Sequence, residues 1–250
     1  MTNYRIVDDP PQLKQRQISR GYARSPTGCC GLGGLTLSKA NLRIVALGDS
    51  LTVGENEFEL SDSDEYVSYP RHLEILAQQH LNRHQHQSGV TVNVVNKGIC
   101  GELTTGMLER FSRDVVAERA NCVIILGGTN DIGWNLDPSM IAHNLGIMYH
   151  AALSRGIMPV ACTVPSILGF DETIPPRLSL NSMIRAQAEK RSIALVDLFA
   201  ATADPQTNRL SEQYSADGLH LNGKGYELMA QCVFDNWLRA LLDKYLEQVE

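Results

Sequence analysis

Apolar residues fall along this chain in two kinds of run. Short blocks rich in β-branched and aliphatic residues recur: Ile44-Val45-Ala46-Leu47, Val90 to Val95, Cys122-Val123-Ile124-Ile125-Leu126, Met158 to Val164, and Ala194-Leu195-Val196. Their length and composition suit strands. Near-continuous hydrophobicity suits strands buried on both faces, as in a parallel sheet. Between the blocks, apolar residues switch to helical spacing. Leu73, Leu76, Ala77 and Leu81 predict a helix from about Tyr66 to Leu81. Further helices are predicted from about Leu103 to Arg119, from Pro138 through Leu145, Met148 and Leu153 to a stop at Gly156, from about Pro176 to Lys190, and from about Gly223 to Leu246. Pro138 suits a first helical turn and Gly156 a helix end. Five strands alternating with helices predict a parallel sheet with helices on both faces, a three-layer α/β/α architecture. No internal repeat and no second core interrupt the pattern.

Residues 1–40 break it. They carry Pro10, Pro11, Pro26 and the glycine-rich stretch Gly28-Cys29-Cys30-Gly31-Leu32-Gly33-Gly34, with no clear periodicity. They read as a loosely ordered extension ahead of a domain at 41–250. The glycines precede the first strand and do not complete GxGxxG, which argues against a dinucleotide site. Cys29-Cys30 can accept a lipid, though a linker thiol pair is the plainer reading. After the first strand comes an acidic stretch, with Glu55, Glu57, Glu59, Asp62 and Asp64. His80 and His84 can share a helix face near His86, but no carboxylate or cysteine completes a metal set. A solvated helix end is expected there, and no metal.

The chain of 250 residues has 22 Lys and Arg against 28 Asp and Glu, a net charge of -6. One domain of this size buries an ample core without disulfides. The acidic balance argues against general nucleic-acid binding. No apolar run has the length of a bilayer span. Met1-Thr2-Asn3-Tyr4-Arg5 leads into no apolar segment, so a secretory signal is not expected. Cys100, Cys122, Cys162 and Cys232 sit among apolar residues and are expected to pack as small hydrophobes. These features favour a reducing, cytoplasmic setting. Oligomeric state is not readable.

The chemistry gathers at the carboxyl ends of the predicted strands, where open α/β sheets build their sites. The first strand ends at Gly48-Asp49-Ser50-Leu51, with Gly48 free to turn sharply and Asp49 or Ser50 able to cap a helix. The second ends at Gly98-Ile99-Cys100-Gly101-Glu102, the third at Gly127-Gly128-Thr129-Asn130-Asp131. The last loop holds Asp217-Gly218-Leu219-His220. Together they offer an alcohol, an imidazole to take its proton, and a carboxylate to fix the imidazole tautomer. The N–H groups of Ser50 and Gly101 and the amide of Asn130 can bind a developing oxyanion. Each piece also has a plain reading: Asn130 as a helix cap, Gly101 as a turn, His220 as a surface histidine. Gly218 to Gly225 nearly spells a phosphate-binding loop, but Gly225 stands where Ser or Thr is needed. The GxSxG elbow of α/β-hydrolases is absent.

These four blocks, in this order between Leu42 and about Leu242, resemble those of the GDSL, or SGNH, hydrolases. The resemblance implies a flavodoxin-like five-stranded sheet and a serine esterase or lipase. It implies Ser50 as nucleophile, His220 as base, Asp217 as its orienter, and Ser50, Gly101 and Asn130 as oxyanion donors, with no cofactor. The second block departs from the family pattern at Cys100 and Glu102, and Gly98 competes with Gly101 as donor. The family covers esterases, lysophospholipases, thioesterases and carbohydrate deacetylases. Trp134, Ile167, Leu168 and Phe170 follow strand ends and are candidates to line an acyl pocket; they can equally pack the rim of the sheet. The acidic stretch after Ser50, where it rims the mouth of the site, is expected to disfavour anionic substrates. The expected partner is a small ester of a short-to-medium acyl group and a neutral alcohol. A non-enzymatic alternative is a flavodoxin-like binding module.

Overall fold

The computed structural model describes residues 41–54, 68–83 and 89–247. The expected extension at 1–40, the acidic stretch at 55–64, the start of the first long helix at Tyr66, and His84 and His86 lie outside the described residues.

Five strands form one sheet: β1 (Asn41–Gly48), β2 (Thr91–Gly98), β3 (Cys122–Leu126), β4 (Met158–Cys162) and β5 (Ala194–Val196). Their order is β2-β1-β3-β4-β5 and every pairing is parallel. This is the flavodoxin-like order, and the direction of winding reverses between β1 and β3. The helices are α1 (Ser50–Val53), α2 (Tyr69–Arg83), α3 (Thr104–Phe111), α4 (Thr129–Gly133), α5 (Pro138–Leu153), α6 (Ile174–Arg191), α7 (Leu198–Thr202), α8 (Gly223–Val233) and α9 (Arg239–Glu247).

Burial follows the pleat. Ile44, Ala46, Cys122, Ile124 and Leu126 face a layer containing Leu73 and Ala77 of α2 and Met229, Ala230 and Val233 of α8. The residues between them, Val45, Leu47, Val123 and Ile125, face Met107 of α3, Leu145 and Met148 of α5, and Leu180 and Ile184 of α6. Every residue of β3 is buried. Successive side chains leave a strand on opposite sides, so only an apolar run without gaps can serve two cores.

Several boundaries differ from the sequence reading. β2 runs on to Gly98, because its ladder with β1 continues in register to the Gly48 and Gly98 pair. The helix expected from Leu103 to Arg119 ends at Phe111 and passes into one π-helical turn at Ser112–Val116. A second π turn, Phe234–Leu238, joins α8 to α9. His80 is not on a solvated helix end: its Nε2 lies 2.7 Å from Asp243 Oδ1, and its ring packs edge-on to Phe234. Cys122 and Cys162 are buried as expected, but Cys100 is exposed. Among the described residues, no helix is long and apolar enough to cross a membrane.

Candidate active site

The site begins where β1 becomes α1. Gly48 is needed there for room, and not for an unusual backbone angle. A Cβ at Gly48 would stand 2.2 Å from Thr52 Oγ1 and 2.5 Å from the Leu126 carbonyl oxygen. One at Gly98, its partner in β2, would stand 2.4 Å from the Val53 nitrogen. The two glycines let the turn of α1 sit directly on the sheet. Asp49 caps that turn, its Oδ1 accepting the Leu51 N–H at 3.0 Å. Ser50 is thereby the first residue of α1, where a helical N–H has no partner inside the helix.

His220 arrives on the loop before α8. An antiparallel bridge between Ser215 and Leu221 pins its ends. Gly218 takes φ +95° at the bend, and its carbonyl accepts the Leu168 N–H at 2.8 Å. Asp217 Oδ1 accepts the N–H groups of Leu219 at 2.9 Å and His220 at 2.7 Å, so the carboxylate cannot swing. Its Oδ2 lies 2.7 Å from His220 Nδ1, and His220 Nε2 lies 3.0 Å from Ser50 Oγ. Partial burial raises the Asp217 pKa, but the bonds from the His220 ring and from the two backbone N–H groups outweigh it and hold the carboxyl below its ordinary range. An ionised Asp217 fixes the proton on Nδ1 and leaves Nε2 to accept from the serine hydroxyl.

The second block forms a tight turn. The Glu102 N–H donates to the Ile99 carbonyl at 3.3 Å, and Gly101 holds the third position at φ +72°. Gly98 and Gly101 are no longer equivalent. The Gly98 N–H donates to Asn96 Oδ1 at 2.9 Å, whereas that of Gly101 donates to no group among the described residues. Asn130 is not the cap of α4; Gly128 is. The Asn130 amide instead donates to the Glu102 carbonyl at 2.9 Å, which seats it beside the glycine turn with one N–H to spare.

The four pocket candidates do not share one setting. Ile167 is buried, and its carbonyl accepts the Leu210 N–H at 3.1 Å. Leu168 is half-buried and supports the Gly218 bend through its backbone. Trp134 and Phe170 are 74% and 55% exposed.

Three buried charges around the site carry roles that the sequence reading does not assign. Asp131 accepts from the Thr104 N–H and from Thr104 Oγ1 at 2.6 Å, tying α4 to the start of α3. Arg110 lies inward on α3 between Met107 and Phe111, both buried. A cation at core spacing on an otherwise apolar helix face is the available signal. Arg177 of α6 stands at the same core spacing, between Ile174 and Leu180, and is fully buried beneath Thr129. Burial pushes the Asp49 carboxyl up to about 7, against the Leu51 hydrogen bond. Burial likewise brings Arg177 down to about 10, with Asp49 opposing.

The model of the GDSL-like lipase/acylhydrolase family matches residues 46–228. Among solved structures, the chain is similar to the lipase/acylhydrolase of Enterococcus faecalis, with 24% identity and a TM-score of 0.59 over 84% of this chain and 97% of the other. It is also similar to a variant of an acetyl xylan esterase from Geobacillus stearothermophilus, with 20% identity and a TM-score of 0.64 over 79% and 95%. A curated relative is the uncharacterized lipoprotein YqeF of Bacillus subtilis strain 168, 29% identical over 133 residues. The chain spans about half the length of that relative. With the family's model covering most of the sheet and all four motif blocks, the chain belongs to the GDSL-like lipase/acylhydrolase family of hydrolases.

Proposed function

We propose that this chain cleaves carboxylic esters of short-to-medium acyl groups and neutral alcohols through an acyl-enzyme on Ser50. The observation that carries the reading is the unbroken hydrogen-bonded chain from Asp217 Oδ2 through His220 to Ser50 Oγ, with links of 2.7 and 3.0 Å. His220 Nε2 takes the hydroxyl proton as Oγ attacks the ester carbonyl. The oxyanion is held by the N–H groups of Ser50 and Gly101 and the spare Asn130 N–H. As the intermediate collapses, His220 returns the proton to the departing alcohol. Water then repeats the sequence and releases the acid. The preference for neutral substrates rests on the sequence alone: the acidic residues at 55–64 begin two residues past α1, and negative charge beside a site disfavours anionic ligands.

One observation favours a second reading, an acetylated sugar as substrate. A cleft of about 500 Å³ is lined by Leu168, Asp204, Thr207, Arg209, Ser211 and Glu212. Leu168 joins it to the Gly218 bend, and its polar lining suits a hydroxyl-rich alcohol.

A fluorophosphonate probe tests the nucleophile. The wild-type protein is expected to take one label at Ser50, and Ser50→Ala none. Unlabelled wild type sinks the proposal and leaves a binding module. Turnover of p-nitrophenyl esters of increasing chain length, beside acetylated xylose oligomers and anionic esters, then sets the substrate class. A preference for anionic esters sinks the charge argument.

A further inference from the structure

We infer that Arg110 is a positioning residue that holds the three oxyanion donors in register, an inference that rests on the Ser50 hydrolase reading. Arg110 is 6% exposed and its guanidinium is used on every edge. Nε donates to both Glu102 carboxylate oxygens at 2.7 and 2.9 Å. Nη1 donates to Asp114 Oδ2 at 2.9 Å. Nη2 donates to Glu102 Oε2 at 2.5 Å and to the Gly48 carbonyl at 3.1 Å.

One planar cation therefore grips two separate segments. Gly48 is the strand end that carries Ser50, two residues on. Glu102 directly follows Gly101. The same Gly48 carbonyl also accepts the Ile99 N–H at 3.0 Å, where the glycine turn begins. The third donor is tied in as well, because Asn130 Nδ2 donates to the Glu102 main-chain oxygen. Arg110 thus reaches Ser50 through Gly48, Gly101 through Glu102, and Asn130 through the same Glu102.

A second observation points the same way. Gly106 lies inside α3, where glycine is a poorer helix former than alanine. A Cβ there would stand 3.0 Å from Glu102 Oε1. The helix gives up a better residue at the position where the carboxylate is seated. A buried ion pair adds little net stability, since desolvation offsets its attraction. What it supplies here is fixed geometry, and oxyanion donors act only when held at hydrogen-bonding distance from the developing charge. Lysine carries its three donors on one nitrogen and cannot span the same partners as the guanidinium fork.

The test is a double-variant cycle on the full-length protein with a neutral p-nitrophenyl ester. Arg110→Lys and Arg110→Gln are expected to lower kcat roughly 10- to 100-fold with KM within about threefold. In an Asn130→Ala background the same changes are expected to cost clearly less than in the wild type, because one of the three donors through which they act is already gone. Damage of a general kind would multiply with Asn130→Ala, and full multiplication overturns the inference, as does an unchanged kcat. Circular dichroism checks folding. If the Arg110 variants do not fold, Glu102→Gln, which keeps the size of the side chain, takes their place in the cycle: a loss that shrinks in the Asn130→Ala background supports the inference, and one that multiplies overturns it. Wild-type labelling and its loss in Ser50→Ala test the parent reading separately. A protein that passes there and fails the cycle rejects only the role of Arg110.

Discussion

Asp49 is the residue on which capping and electrostatics meet. It precedes Ser50, it is wholly buried, and among the described residues only one of its oxygens has a partner, the Leu51 N–H. Burial is the largest influence on it and raises the carboxyl to about 7; Asp131 adds to the rise, while Arg177 and His220 oppose it. The sign of the linkage follows. As pH rises through the ordinary carboxylate range, the unfolded chain loses this proton first. The folded state then binds more protons than the unfolded one, so stability falls as pH rises from about 4 to about 7. Each unit of displacement is about 1.4 kcal/mol. Asn in place of Asp keeps an acceptor for Leu51 and removes the titration. We expect Asp49→Asn to gain stability relative to wild type between pH 4 and pH 8, measured by urea denaturation at each pH. A difference that stays flat across that range would show that Asp49 is not forced toward its neutral form.

At the scale of elements, the β1–α1 junction owes its shape to missing side chains. Gly48→Ala puts a methyl group against the Leu126 carbonyl, which as sheet backbone cannot yield. The expected cost is roughly 1–3 kcal/mol, seen as a lower urea midpoint at unchanged slope. Gly223→Ala, where the added carbon meets nothing within 4 Å, is the comparison and should stay within about 0.5 kcal/mol. Equal costs at the two positions would refute the crowding argument. The junction also marks what sequence can and cannot convey. The strands are legible because a run such as Cys122 to Leu126 has no other stable home than a sheet covered on both sides. Ser50 and Asn130 are legible as candidates because each follows the stop of an apolar block, and Asp217 and His220 because a carboxylate and an imidazole stand three apart just ahead of the last helix. The reason for Gly48 is not legible, since chain flexibility and lack of space call for the same residue. The π turn at Ser112–Val116 leaves no mark, because it breaks no hydrophobic period. Gly98 and Gly101 are told apart only by the destination of one N–H, the Asn96 side chain, which depends on the register of β2. Cys100 departs from its expected burial because the block around it forms a surface turn and not a strand.

For the described part of the molecule, the sheet is the common wall of two cores. Ile124 faces the layer of α2 and α8, and Ile125 faces the layer of α3, α5 and α6. Neither layer keeps its apolar wall if β1 and β3 separate, so the layers should not unfold independently. The two tryptophans make this measurable. Trp237 is 6% exposed and belongs to the α8 layer, whereas Trp134 is 74% exposed. In a Trp134→Phe background, fluorescence therefore reports the α8 layer alone, while circular dichroism reports every helix. Ile125→Ala opens a cavity on the opposite side of the sheet, at a cost of roughly 2–5 kcal/mol. We expect it to move the Trp237 transition and the circular dichroism transition by the same amount, as Ile124→Ala should from the near side. Coincident transitions are the signature of one cooperative unit. If Ile125→Ala moved the circular dichroism transition and left the Trp237 transition in place, the layers would be separate folding units. The sheet would then be a boundary between them, and the site above it would rest on two independent halves.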